Sequence, residues 1–243
     1  EQGWTPDLDE LEATVSDQTK LIAVCNPNNP TGYILTEAEM DAVVSAAERV
    51  GAWLLADEVY RGAERLTDTP TPSFWGRYDR VLATNGLSKA YGLPGLRIGW
   101  IVGPPGVVDD AWARHEYTTI GTTMLANKMA ALALSPEVQP RLTQRARDYI
   151  RQGFPILQEW LDSHEGVFDL TPPQAAAIAF ARYHLDINST EIAQRLIHEK
   201  SVLIVPGDHF GLDHYLRISY GLPPDYLRAG LSRIHDMLVE LQG

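Results

Sequence analysis

The chain has 243 residues, 44% hydrophobic and 21% charged, enough apolar material for one large domain or two modest ones with a real core. A formal net charge of −12 argues against nucleic acid or an anionic membrane as a general partner, because both reward Lys and Arg; a local cationic site for a phosphate stays open. The single cysteine, Cys25, leaves no internal disulfide framework and no Cys-based metal cluster, and no apolar run has the length of a membrane span, so the expected setting is reducing and cytoplasmic, with no membrane and no metal.

Leu8, Leu11 and Val15 fall at helical spacing and predict a short helix from Asp7 to Val15. Lys20 to Cys25 predicts a buried-type strand, stopped by Asn26-Pro27-Asn28-Asn29-Pro30-Thr31-Gly32, a run of turn-forming residues. Thr36, with Glu39 at the capping-box position, opens a helix that runs to about Val50 and ends at Gly51. Ala52 to Ala56 predicts a second strand, closing on Asp57-Glu58-Val59-Tyr60. Val81 to Thr84 predicts a third, feeding a glycine-rich loop around Lys89, and Leu96 to Val102 a fourth. Strands alternating with helices imply an open α/β sheet, largely parallel, and such sheets bind ligands beyond the carboxyl ends of their strands. Asn29, Asp57 and Lys89 all fall just beyond those ends.

Pro104-Pro105 opens a helical stretch to about Leu161, with breaks near Thr118–Thr123 and at Ser135-Pro136. Ala175 to Tyr183, Val202 to Val205 and Tyr215 to Ser219 read as strands; Ser189 to Lys200 and Pro223 to Leu241 read as helices. The expected division is a large domain over residues 1–135, a connecting long helix over 136–165, and a smaller C-terminal α+β domain over 166–243. His209 and His214 flank a loop without metal-ligand partners and read as structural. Cys25 reads as a small buried residue, not a nucleophile. Gly92, Gly95 and Gly99 do not have the spacing of a dinucleotide fingerprint.

Lys89 is one of only four lysines, with Lys20, Lys128 and Lys200, and it alone stands at a strand end among glycines with Arg97 eight residues on. A surface lysine needs no such setting. A lysine that bonds covalently to a carbonyl does, because its amine must lose a proton in a shaped, partly desolvated pocket.

Four segments carry a joint signal: NPNNPTG (Asn26 to Gly32), ADEVY (Ala56 to Tyr60), SKAYGLPGLRIGW (Ser88 to Trp100) and LRIS (Leu216 to Ser219). In order and approximate separation they resemble the class I/II pyridoxal-phosphate aminotransferases of fold type I, and the resemblance covers essentially the whole chain. It implies a three-layer αβα large domain with a mainly parallel sheet, pyridoxal 5'-phosphate as cofactor, amino acid and 2-oxo acid as substrates, and a homodimer. Residue by residue, it implies Lys89 as the covalent anchor and general base, and Asp57 as the carboxylate beside the pyridine nitrogen. Tyr60 and Asn29 become donors to the phenolic oxygen, Arg97 the phosphate-binding arginine, and Arg217, helped by Asn29, the fork for the substrate carboxylate.

Two departures from that pattern stand out. Gly86 occupies the position three before the lysine where many relatives carry Ser or Thr as a phosphate ligand, and Ser88 is not assumed to replace it. The chain opens Glu1-Gln2-Gly3-Trp4, not with Met, and the segment that precedes the Asn motif in the family is missing; a part of a longer protein, inactive or weakly competent alone, is the expectation. Trp4 lies too near the start to be given the ring-stacking role. Pro172 to Phe180 lacks a second arginine for an acidic side chain, which disfavours aspartate-type substrates. The same scaffold also supports lyase, cyclase or oxidase outcomes, or a non-catalytic sensor domain.

Overall fold

The computed structural model describes residues 3–242. Helix α1 (Leu8–Thr14) precedes strand β1 (Leu21–Cys25), helix α2 (Glu37–Val50), strand β2 (Trp53–Asp57), strand β3 (Val81–Gly86) and strand β4 (Gly99–Val102). The capping box at α2 is complete: the Glu39 amide donates to Thr36 Oγ1 at 3.3 Å, and the Thr36 amide donates to Glu39 Oε2 at 2.7 Å. Gly51 ends α2 in the left-handed region, φ 66, where a side chain would be strained.

The first sheet has the order β1-β2-β3-β4; β1, β2 and β3 run parallel and β4 is antiparallel to β3. Alternate residues Ile22 and Val24, Leu54 and Ala56, and Val81 face α2 and pack with Met40, Val43, Val44 and Phe74. Leu54, Val81 and Met40 are fully buried, and each such side chain contributes about 1.5–3 kcal/mol of transfer free energy. The fold is of the α/β class, a mainly parallel sheet with helices, as the alternating pattern implies.

The fourth strand is shorter than the Leu96–Val102 expected. Pro94–Leu96 forms a 3-10 turn and Arg97 is left-handed, φ 54, so extended pairing begins only at Gly99. Pro94 has no N–H to give to a ladder and fixes φ near the helical value, which favours the turn.

Helices α3 (Pro105–His115), α4 (Met124–Ala133) and the 24-residue α5 (Gln139–Asp162) follow. The second sheet is built from β5 (Phe168–Asp169), β6 (Ile178–Tyr183), β7 (Val205–Pro206) and β8 (Tyr215–Ser219), in the order β5-β6-β8-β7, all antiparallel. Helix α6 (Ser189–Lys200) joins β6 to β7, and α7 (Pro224–Gln242) closes the chain. Val202–Ile204 does not pair as a strand. Ser201 turns left-handed at φ 53 and the Val202 amide bonds back to Leu196 O at 3.0 Å, so only Val205 and Pro206 reach β8. Ala176, left-handed at φ 67, likewise delays β6 until Ile178. One continuous core joins the loop residues Leu87, Ala90 and Tyr91 to Ile150 and Leu157 of α5 and to Leu196, Leu216 and Leu231. No helix among the described residues is long and apolar enough to cross a membrane.

Helix α5 can lie against the segment after β8 only because residue 153 has no side chain: a Cβ there would sit far inside contact distance of Tyr220 O. Gly153→Ala is expected to lower stability by about 2 kcal/mol, even though Ala is the better helix former by about 1 kcal/mol. Urea unfolding checks this, as a lower midpoint at unchanged slope.

Candidate active site

The parallel register decides where the polar residues emerge. Cys25 pairs with Asp57 and Asp57 with Thr84, so β1 and β2 end level with each other and β3 runs two residues further, to Gly86, along β4. Asp57, Thr84, Asn85, Gly86, Ser88 and Arg97 line one cavity of about 260 Å³ at that edge. The Asp57 carboxylate is exposed and accepts the Val59 amide at 3.1 Å through Oδ1. Arg97 donates to Pro94 O at 3.2 Å, and its left-handed backbone is held by the 3-10 turn before it.

Gly86 has a local physical cause. A Cβ there would lie 3.0 Å from Ile98 O and 3.4 Å from Gly99 Cα, so the close approach of β3 to the chain entering β4 makes a side chain at this position a tight fit. The hydroxyls on this cavity come instead from Ser88 and Thr84.

An adjoining cavity of about 400 Å³ is lined by Tyr60, Ser88, Lys89, Gly92, Arg145 and Tyr149, among others; Ser88 borders both. Lys89 Nζ lies over the Tyr60 ring, 5.8 Å from its centroid. Lys89 is exposed in this chain, unlike the partly desolvated amine that its sequence context implies; it begins an open turn, with the Gly92 amide on its carbonyl at 2.9 Å. Tyr60 is buried. Burial pushes its phenol above the usual range, nearby Arg217 opposes, and Cys25 and Asp57 push the same way as burial, so the hydroxyl keeps its proton.

Arg217 stands on β8 between buried Leu216 and Ile218, and its Nη1 donates to Asn29 Oδ1 at 2.9 Å across 188 residues of sequence. Its guanidinium carbon sits 5.6 Å from the Phe210 ring centroid, and its Nε is buried without a partner among the described residues. With Oδ1 engaged by the arginine, Asn29 presents its amide nitrogen as a donor. The Asn29 loop is sewn to the second half of the chain at Gly32, whose carbonyl accepts the amides of Gln174 at 2.9 Å and Ala175 at 3.0 Å; a Cβ on Gly32 would meet Ala175 O at 2.5 Å.

The structure therefore brings Asp57 with Arg97, Lys89 with Tyr60, and Asn29 with Arg217 into one region. Trp4 packs at 5.6 Å on both Phe180 and Tyr215, on the second sheet where Phe180 pairs with Arg217. From the sequence Ser88 was not assumed to take the place of a hydroxyl at position 86, yet it borders both cavities; the buried pair Glu64–Arg147 was passed over, its partners lying 83 residues apart with no local pattern to link them.

The family model described as aminotransferase class I and II matches residues 1–234. Among curated proteins the chain is 34% identical to capreomycidine synthase of Streptomyces vinaceus, covering 98% of this chain and 60% of that protein. It is 29% identical to an aspartate aminotransferase of Streptomyces avermitilis, covering 98% and 61%. Among solved structures, a PLP-dependent aminotransferase from Streptococcus suis matches with TM-score 0.89 and 32% identity, over 98% of this chain and 62% of that one. The chain thus spans about 60% of the length of the curated relatives it matches.

Cys25 Sγ donates to Pro27 O at 3.2 Å, and burial, with Asp57 adding to it, pushes the thiol from 9.0 up to about 11. The reactive thiolate is thus about 100-fold scarcer near pH 8 than for an unshifted thiol. Labelling of native protein by a thiol reagent is expected to be slow at pH 8, to accelerate steadily up to pH 11, and to be fast at pH 8 once the protein is unfolded in urea.

Proposed function

The chain belongs to the class I and II aminotransferase family, and from that membership we propose that it carries the pyridoxal-phosphate site of an enzyme moving an amino group between an amino acid and a 2-oxo acid. The observation that carries this reading is the shared cavity of Asp57, Arg97 and Ser88, joined through Ser88 to the cavity of Lys89 and Tyr60.

The donor set fits the cofactor. Asp57 supplies a carboxylate for a protonated ring nitrogen, Tyr60 and the Asn29 amide supply donors for a phenolic oxygen, and Arg97 with Ser88 supplies a cation and a hydroxyl for a phosphate. The buried, unpartnered Nε of Arg217 is an incomplete fork, which a substrate carboxylate would complete. When bound, the cofactor supplies an electron sink for the pair left at the substrate's Cα. The remaining work falls to the chain. Lys89 would anchor the cofactor and then, as a free amine, take the proton from Cα and deliver it to the cofactor carbon on the other side of the substrate nitrogen. Arg217, held by Asn29, grips the α-carboxylate and fixes which face of Cα meets Lys89.

A second reading has its own support: one relative is named a synthase, not an aminotransferase. On that reading the same proton abstraction at Cα leads to a ring-forming or eliminating outcome, with Lys89 and Arg217 in unchanged roles. A homodimer is also part of the proposal. It is supported by the exposed Trp112, Ile120, Met124, Leu125 and Leu132 on α3, α4 and the segment between them, 55–81% accessible, a large apolar surface for a monomer to leave in water.

The test uses the full-length protein loaded with pyridoxal phosphate. A visible absorption band is expected and is expected to disappear in Lys89→Ala. Arg217→Lys should keep the band while KM for the amino acid rises about 100-fold, since a point charge replaces a planar fork. Formation of a 2-oxo acid with pyridoxamine phosphate supports transfer; ammonia or a cyclic product without it supports the second reading. No band in the loaded wild type sinks both.

A further inference from the structure

Among the described residues the most buried ion pair lies outside the site. Arg147 Nη2 meets Glu64 Oε2 at 2.8 Å, with side chains 6% and 1% exposed. The other carboxylate oxygen, Oε1, accepts three more bonds: the Gly62 amide at 2.9 Å, the Thr71 amide at 2.8 Å and Thr71 Oγ1 at 2.9 Å. Burial alone would raise the Glu64 carboxyl; the bonds from Arg147, Gly62 and Thr71 outweigh it and hold the group below the usual range, so it stays charged.

Such a pair is a poor device for stability. Desolvating two charges costs several kcal/mol per ion, on the order of what their attraction returns, and replacing both partners with apolar side chains is often neutral. What the pair does provide is a fixed direction. The Gly62 amide that Glu64 holds lies two residues past Tyr60. The Ala63 amide donates to Tyr60 O at 2.9 Å, and Arg61 Nε donates to Thr71 O at 2.7 Å. Gly62 has φ +101, and a Cβ there would meet Thr143 Cγ2 at 3.2 Å and Ala90 Cβ at 3.3 Å. The turn that carries the phenol is thus clamped on both sides.

The clamp is mounted on one stripe of α5. Thr143, Arg147 and Arg151, four residues apart, share a helical face. Thr143 packs on Gly62 and Arg147 pairs with Glu64. Arg151 donates to Arg65 O at 2.9 Å, Thr67 O at 2.9 Å and Asp68 Oδ1 at 2.8 Å. The same helix reaches the Lys89 loop, because Arg145 Nη2 donates to Tyr91 O at 3.0 Å. One rigid element therefore sets the Tyr60 turn against the Lys89 loop.

We propose that Glu64–Arg147 is a positioning pair, which locks the turn after Tyr60 onto α5 and so sets where the phenol stands relative to the cofactor ring and Lys89. The inference rests on the reading above, in which Tyr60 donates to the cofactor's phenolic oxygen. That donor favours the ionised oxygen, so a displaced phenol moves the pH midpoint of the cofactor's visible band.

The experiment titrates that band in full-length holoprotein for wild type, Tyr60→Phe, Glu64→Gln and the double variant. Glu64→Gln is expected to move the midpoint by about one unit in the same direction as Tyr60→Phe, and to add nothing in the Tyr60→Phe background. It should also lower kcat about tenfold with KM for the amino acid nearly unchanged. A joint Glu64→Leu, Arg147→Met variant should be more stable in urea than Glu64→Leu alone, because no charge is left buried without its partner, while the midpoint stays displaced, which a purely structural role would not produce. Should Glu64→Gln fail to fold, Arg147→Lys replaces it, with a smaller shift expected in the same direction. If Tyr60→Phe shifts the midpoint and the folded pair variants leave it at the wild-type value, or if their shifts add in full, the positioning role is overturned. If Tyr60→Phe itself leaves the midpoint in place, the assignment of Tyr60 falls, and the inference with it.

Discussion

Everything at the site depends on the parallel pairing of β1, β2 and β3 in one register. With Cys25, Asp57 and Thr84 level, the loops that leave the three strands emerge at one edge. Side chains alternate along a strand, so a slip of one residue would carry Asp57 to the face packed on α2 and bring Ala56 to the cavity. The buried face guards against that slip, because Leu54, Ala56 and Val81 would all move toward water together. The antiparallel β4 then returns along β3 so closely that Gly86 and Gly99 face each other, bringing Arg97 back to the edge that Asp57 occupies.

The edge is completed by the second half of the chain. Arg217 reaches it from the middle of an antiparallel sheet, and its contact with Asn29 is one of several ties across the same seam. Gly32 O receives two amides from Gln174 and Ala175, Gln174 Oε1 receives the Ile34 amide at 2.8 Å, and Ala63 O receives the Ala176 amide at 2.9 Å. These bonds fix the loops, while the shared core around Ile150, Leu157 and Leu216 supplies the non-directional part of the stabilisation. Helix α5 contributes to both, through its apolar face and its Thr143–Arg147–Arg151 stripe.

Charge is distributed against the overall balance. The chain carries a net −12, yet the two cavities are lined by Lys89, Arg97 and Arg145 with Asp57 as their one carboxylate, and Arg217 stands beside Asn29 close by. A cationic cleft in an acidic molecule suits a ligand with a phosphate and a carboxylate and repels cationic ones. Relatives with different named chemistries, a synthase and an aspartate aminotransferase, are similar over nearly the whole of this chain. A shared fold does not by itself dictate a reaction, and the choice between outcomes rests with groups around the substrate's side chain.

Local signals were legible because they act through the backbone of a few neighbours. Thr36, Glu39 and Gly51 bounded α2, and turn-forming residues marked the Asn29 loop. Asp57 and Lys89 stood out as polar residues at the ends of apolar runs, the motifs they belong to pointed to Tyr60 and Arg97, and the separate LRIS segment pointed to Arg217. Where local pattern misled, a backbone reversal was the reason: left-handed Ser201 turned Val202–Ile204 out of the sheet, and left-handed Arg97 delayed β4. What the chain's order of residues determined by itself was the element sequence, the strand ends and the chemical types brought to them. Tertiary structure decided the rest. The crowding at Gly86 comes from Ile98, just before the facing strand, the Arg217–Asn29 contact closes across two sheets, and Glu64 finds Arg147 only when α5 docks on the Tyr60 turn. Those contacts join positions far apart in the chain, and packing, not periodicity, chooses their partners.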